Sequence, residues 1–316
     1  MSEKIVFMGT ASFSKKVLQM LIDEHYDVVG VVTQPDRYVG RKHVLHMSDV
    51  KELALAHNIP VVQPERIRSD YADVLALEPD LIITAAYGQI VPNAILQAPR
   101  LGCINVHASL LPRHRGGAPV QRAIIEGDHK TGVTIMYMAE KMDAGDIISQ
   151  AATQITDEDT LGSLYDRLAY MGAKLLKETL PSIMNGTNTR LPQNPELVTF
   201  SPIIKREDEH LDWNTSVRDV FNKVRGLNPA PGCFSDYEGT KVKIWEGHIH
   251  NCENAMSHHG DQPNGTIVKI FKDAIGVKAN DGIYLITSLQ VPGKKRMAVK
   301  DYLNGKNIFE VGHCFK

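Results

Sequence analysis

From residue 4 to residue 125 short apolar runs alternate with amphipathic stretches, and that alternation narrows the first half of the chain to one architecture. "KIVFMG" (4–9), "DVVGVVTQPD" (27–36), "IPVVQP" (59–64), "DLIITAAYG" (80–88) and "GCINVHAS" (102–109) read as strands. Val17, Leu18, Leu21 and Ile22 recur at helical spacing within "SKKVLQMLIDE" (14–24), and "SDVKELALAHN" (48–58) predicts a second helix with Ser48 as its N-cap. Strands and helices alternating in this way indicate an α/β parallel sheet with helices on both faces. Ligands of such sheets sit at the carboxyl ends of the strands. "FMGTASFS" (7–14) places a glycine between strand and helix, but the G-x-G-x-x-G pattern is absent. That argues against a dinucleotide and leaves an anion or carboxylate near the helix N-terminus.

The pattern changes near residue 190. "TNTRLPQNPELVTFSP" (187–202) is rich in Pro, Asn and Thr without periodicity and reads as a linker. "EHLDWNTSVRDVFNKVRGL" (209–227) then predicts a helix. The short β-rich runs "KVKIWEG" (241–247), "GTIVKIFKDAIGVKAN" (265–280) and "GIYLITSLQ" (282–290), with an Asp-Gly turn signal between the last two, suit a small barrel. A chain of 316 residues accommodates two domains, each with a core of its own.

No stretch approaches the ~18 apolar residues that span a bilayer, and residues 1–7 lack the pattern of a secretory signal, which points to a cytoplasmic protein. Cys103, Cys233, Cys252 and Cys314 are widely spaced, so they read as inert thiols and not as a disulfide framework or zinc ribbon. A net charge of −2 excludes a uniformly basic nucleic-acid coat but not a local basic patch. "HIHNCENAMSHH" (248–259) gathers His248, His250, Cys252, His258 and His259; its polarity fits a solvated loop better than a metal site.

"INVHASLLPRHRGGAP" (104–119) concentrates the chemistry. Side chains alternate along a strand, so Asn105 and His107 share one face while Ile104 and Val106 share the other. An amide donor and a group that titrates near neutrality thus stand together where a ligand is expected. "SLLP" (109–112) forces a turn, "RHRGG" (113–117) supplies backbone freedom and charge, and Pro119 suits the first turn of a helix. Asp143, in the loop "MDAGDI" (142–147) between the strand "VTIMYM" and a return strand that begins at "IIS" (147–149), could reach His107 and fix its tautomer. Asp146 is its rival in the same loop.

"NVHASLLPRHRGGAPVQRAI" (105–124) together with "MDAGDI" resembles the signature of the 10-formyltetrahydrofolate-dependent formyltransferases. The resemblance implies a catalytic triad of Asn105, His107 and Asp143, with the folate along Tyr87, Gly88, Gln89 and Ile90 and along Ser109, Leu110, Leu111 and Pro112. It implies 10-formyltetrahydrofolate as formyl donor and no metal. "VVTQPDRYVGRK" (31–42), "TAAYGQIVP" (84–92), "IKREDEHLDWN" (204–214), "VRGLNPAPG" (224–232) and "LQVPGKKRM" (289–297) are similar to the branch of the family that formylates initiator methionyl-tRNA. That likeness implies a Rossmann-like catalytic domain over 1–189, a linker over 190–206 and an OB-type, tRNA-binding barrel over 207–316, acting as a monomer. Arg41, Lys42, Lys241, Lys243, Lys294, Lys295 and Arg296 are the expected phosphate contacts. The chain departs from that branch at Ala11, where the pattern has Pro, at His43, Met47 and Asp49 in the basic loop, and at Ala230, where Trp is common. A formyltransferase for a small amine such as a nucleotide-sugar is the alternative, and a silent tRNA-binding protein a third; the barrel disfavours one and the intact triad the other.

Overall fold

The computed structural model describes residues 3–39, 44–250, 261–305 and 307–316. It divides into two compact units, one of Met1–Pro119, Lys130–Gln154 and Tyr165–Pro202, the other of Val120–His129, Ile155–Leu164 and Ile203–Lys316.

The first unit is built on β1 (Ile5–Gly9), β2 (Val28–Val32), β5 (Val61–Val62), β6 (Leu81–Ala85), β7 (Cys103–His107), β8 (Lys130–Tyr137) and β9 (Ile147–Gln154), with β3 (Arg37–Val39) and β4 (Val44–His46) forming a separate hairpin. The sheet order is β5-β2-β1-β6-β7-β8-β9. Its first five strands are parallel, as the alternation predicts, whereas β8 and β9 are antiparallel to their neighbours. Every residue of β1 and β6 is buried, which is why those segments are continuously apolar. Val6, Met8, Ile82 and Cys103 pack with Val74 of α3 (Ala72–Leu75) and Ile95 of α4 (Asn93–Leu96). The opposite face meets α6 (Leu161–Met184), where a Cβ on Gly172 would lie 2.9 Å from Val106 and 3.3 Å from Phe13 of α1 (Ser12–Asp23). Ser48 does cap α2 (Asp49–Ala56), accepting from the Lys51 N–H, and Asp49 places a carboxylate at the positive end of that helix.

Ala11 caps α1 with φ −74°, a value that proline also adopts. The loop before it is held by Thr10, whose Oγ1 donates to the Tyr87 carbonyl at 3.0 Å and accepts from the Gln34 N–H at 3.3 Å. The missing proline is therefore offset by bonds from its neighbour.

In the second unit the sheet runs β10 (Cys233–Tyr237), β11 (Thr240–Ile249), β14 (Ile283–Gln290), β13 (Ile275–Lys278), β12 (Ile267–Ile270), with β15 (Met297–Ala298) paired to β14. All these pairings are antiparallel. The C-terminal residues join the two outer strands: Phe315 bridges Tyr237, and Cys314 bridges Thr266 next to β12. The Lys316 N–H donates to the Asp236 carbonyl at 2.7 Å, and the Ile267 N–H to the His313 carbonyl at 2.8 Å.

The helix expected over 209–227 is confined to α7 (Val217–Gly226), because a capping box between Ser216 and Asp219 starts it late. Leu211 and Trp213 precede it and enter the barrel core with Val220 and Val224. Segments 120–129 and 155–164 belong to this unit for visible reasons: Ile125 packs on its core, and buried Arg225 donates to the Thr156 and Asp159 carbonyls at 2.6 and 3.1 Å.

Burial pushes the thiols of Cys103 and Cys233 up to about 12, so neither carries appreciable thiolate near neutrality. Cys314 is partly exposed. Brief alkylation of the native protein at pH 8 should therefore label Cys314 far ahead of Cys103 and Cys233; equal labelling of the three by peptide mapping would contradict these burials. Among the described residues no helix is long and apolar enough to cross a membrane, and no cluster of His, Cys, Asp and Glu is arranged to hold a metal ion. Of the histidine-rich segment, His248 and His250 are described, while Cys252, His258 and His259 lie outside the described residues.

Candidate active site

Asn105 and His107 occupy the carboxyl end of β7 on the face that also carries Cys103. β6 lies beside it with Thr84 opposite Asn105 in register, and the Thr84 hydroxyl donates to Asn105 Oδ1 at 2.9 Å. With its oxygen occupied, the Asn105 amide keeps its two N–H donors for a ligand.

His107 is 6% exposed. Its Nε2 lies 3.0 Å from the His114 carbonyl, and its Nδ1 lies 3.8 Å from Asp143 Oδ1. A carbonyl can only accept, so Nε2 carries the proton in that bond. Nδ1 then faces a carboxylate at a distance typical of an ion pair and beyond a direct hydrogen bond.

Each partner of His107 is held by a specific backbone shape. His114 has φ 60°, its backbone N–H donates to Thr199 Oγ1 at 2.9 Å, and its buried ring Nδ1 lies 2.7 Å from Ser201 Oγ. Asp143 has φ 49°, left-handed geometry that Asp tolerates better than most residues. Its Oδ2 accepts from the Gly116 N–H at 2.8 Å. Gly116 cannot carry a side chain, since a Cβ would stand 2.6 Å from the Ser201 carbonyl oxygen at φ +122°. Gly145 is equally constrained, with a Cβ position only 1.9 Å from the Tyr137 oxygen. These two contacts account for Gly116 of "RHRGG" and Gly145 of "MDAGDI". Asp146 is turned elsewhere, accepting from Arg190 Nε at 3.0 Å, so Asp143 is the loop carboxylate that faces His107.

The positions expected along the folate are largely engaged within the protein. Tyr87 is buried in the core, where burial pushes its hydroxyl up to about 12. The Gln89 side chain accepts from the Ile67 N–H at 2.9 Å. Gly88 has φ 88°, and Ile90 is half exposed. Leu111 precedes a cis bond to Pro112, its N–H donates to Thr134 Oγ1 at 3.1 Å, and its carbonyl accepts from Gln150 Nε2 at 2.9 Å. The carbonyls of Ser109, Leu110 and Pro112 accept from Thr134 Oγ1, the Arg113 N–H and the Thr199 N–H. A ligand there would use second lone pairs on carbonyls whose directions are already fixed.

On the barrel, Lys243 and Arg296 both lie over the Trp245 ring, at 5.0 and 5.2 Å, and Lys241 lies 3.8 Å from the centre of the Phe234 ring. Lys294 is exposed and rests 5.0 Å from the Tyr302 ring, Lys295 is exposed, and Arg296 also pairs with Glu246. Arg41, Lys42 and His43 lie outside the described residues; Met47 is exposed. Ala230 is exposed between two cis X-Pro bonds, Asn228–Pro229 and Ala230–Pro231. Sequence reasoning missed Thr84, His114, Thr199, Ser201 and Gln193, whose polar side chains carried no periodic signal.

Residues 3–180 match the formyl transferase family and residues 203–307 its C-terminal domain. Methionyl-tRNA formyltransferase of Bacillus pumilus (strain SAFR-032) is 49% identical over 313 residues, which cover 98% of this chain and 96% of that protein. Methionyl-tRNA formyltransferase of Bacillus thuringiensis subsp. konkukian (strain 97-27) is 52% identical over 306 residues, covering 96% and 95%. Among solved structures, the sugar 3N-formyltransferase WlaRD with dTDP and 5-N-formyl-THF aligns with a TM-score of 0.66 at 18% identity, covering 93% of this chain and all of its own. HypX from Aquifex aeolicus in complex with tetrahydrofolic acid aligns with a TM-score of 0.64 at 18% identity over 96% of this chain, which spans 47% of the HypX chain. At such identities the structures speak for the fold alone. The two family domains in order, and relatives at about half identity along nearly the whole length, are decisive: this chain belongs to the formyl transferase family.

Proposed function

We propose that this chain transfers the formyl group of 10-formyltetrahydrofolate to the amino group of initiator methionyl-tRNA, giving N-formylmethionyl-tRNA for translation initiation. The observation that carries the chemistry is the convergence of Asn105, His107 and Asp143 at the end of β7. The acceptor rests on the match of both domains to relatives named for methionyl-tRNA.

The folate supplies an activated formyl group on a nitrogen leaving group. The attacking amine forms a new C–N bond, the folate C–N bond breaks, one proton leaves the amine and one arrives on the departing nitrogen. Between these events the formyl oxygen carries negative charge, and the Asn105 N–H donors stabilise it. With the ring protonated on both nitrogens and balanced by Asp143, His107 exchanges the His114 carbonyl for the departing folate nitrogen and gives it the Nε2 proton. The emptied Nε2 then takes the proton that the amine loses. The donor fits a site of this kind: polar donors stand at the end of β7, and half-exposed Ile90 follows the end of neighbouring β6.

Offering methionyl-tRNA and free amino-sugar nucleotides separately, each with 10-formyltetrahydrofolate, tests this reading. Formylated methionyl-tRNA is the expected product; formylation of the sugar alone would overturn it. From Glu207 onward the chain has 14 Lys or Arg against 14 Asp or Glu, so attraction to phosphates depends on clustering. Changing Lys294, Lys295 and Arg296 together to Ala should raise KM for tRNA and flatten its salt dependence, because fewer counterions are released. Salt slopes identical to the wild type would exclude this cluster from the tRNA surface.

A further inference from the structure

The segment expected to be a plain linker is part of the site's scaffold. Leu191 pairs with Ile147, Phe200 bridges Arg115, and Thr199 and Ser201 hold His114. Within this strap Gln193 makes four bonds. Its Nε2 donates to the carbonyls of Asp143 and Gly145, both at 2.8 Å, and its Oε1 accepts from Arg115 Nε at 3.0 Å and Nη2 at 2.8 Å. The amide has two donors and two acceptor sites, and all four are used. Its orientation is forced, since a guanidinium can only donate and the two carbonyls can only accept.

We propose that Gln193 is a positioning residue for formyl transfer, acting through Asp143 on His107. The inference rests on the function proposed above. Asp143 is fixed from two sides: Gly116 holds its carboxylate and Gln193 holds its backbone carbonyl. Left-handed backbone at a residue with a side chain is costly and persists where surrounding bonds over-determine it. Gln193 supplies two of those bonds and ties them to Arg115, the residue between His114 and Gly116. One amide therefore locks both loops that contact His107, one through its acceptor at Nε2 and the other through its carboxylate at Nδ1. Without it the Asp143 loop relaxes, the 3.8 Å approach to His107 is lost, and the ring loses the charge partner that serves it during transfer.

Two variants separate positioning from packing. Gln193→Met fills the same space without hydrogen bonds, and Gln193→Glu keeps the acceptor for Arg115 but cannot donate to the two carbonyls. Both are expected to stay folded with kcat lowered about ten- to a hundredfold, KM for folate and tRNA within about threefold of wild type, and the His107-dependent limb of the pH–kcat profile displaced. Wild-type kcat and pH profile in either folded variant would overturn the proposal, as would raised KM with unchanged kcat. Failure of both variants to fold would make Gln193 structural and equally overturn it. The imidazole nitrogen resonances of His107, followed through a pH titration, supply a readout independent of turnover. If the wild type does not formylate methionyl-tRNA, the proposed function falls; if the His107 titration is the same in wild type and Gln193→Met, the positioning role falls.

Discussion

Replacing His107 with Ala should lower turnover by a hundredfold or more, the usual scale for a lost acid–base group. The variant removes the one side chain that faces both the His114 carbonyl and the Asp143 carboxylate. A stability cost accompanies the kinetic one. The buried bond from His107 Nε2 to the His114 carbonyl is lost, and a hydrogen bond of this kind is worth roughly 0.5–1.5 kcal/mol. Stability and rate must therefore be measured on the same preparation, with rates taken well below the melting temperature. Single-turnover rates near wild type in folded protein would remove His107 from the mechanism.

Asn105→Ala should cost about 3 kcal/mol in transition-state stabilisation, on the order of a hundredfold in kcat, as for a deleted oxyanion donor. Thr84→Val supplies the graded control. It preserves shape but removes the hydroxyl that fixes Asn105 Oδ1, so the amide is free to rotate while its donors remain. A loss of about tenfold or less is expected there, with folate KM little changed. Equal losses in the two variants would show that orientation, not donation, is what Asn105 contributes. No loss in Asn105→Ala would place the oxyanion elsewhere.

In both domains, what the sequence made legible was what periodicity encodes. Apolar runs found β1, β2, β5, β6 and β7, and strand alternation put Asn105 and His107 on one face, because both signals come from the pleat itself. The reversal of β8 and β9 was half legible, through the return strand inferred after "MDAGDI", since direction depends on how a loop closes and not on composition. The choice between Asp143 and Asp146 could not be made from the residues alone; a left-handed backbone and an Arg190 partner decide which carboxylate turns inward. The strap was the clearest gap. Pro, Asn and Thr without periodicity look the same whether a segment is a free tether or is pinned by side-chain bonds, and only its partners on the His114 and Asp143 loops distinguish the two.

The two units reach their sheets by different routes, and the closing contact of the barrel sets a folding order. In the first unit the distant pairing, Ile5 of β1 opposite Leu81 of β6, lies inside the sheet, and both edge strands, β5 and β9, pair with strands close by in sequence. In the second, the outer strand β10 finds its last partner 81 residues further along, where the Ser235 hydroxyl donates to the Lys316 carbonyl. Contacts of such high sequence separation are entropically late. Until the tail docks, β10 and β12 are open edges able to pair with another chain. Refolding at high protein concentration should accordingly lose the second unit to aggregation before the first, and a variant lacking residues 312–316 should do so even when refolded dilute.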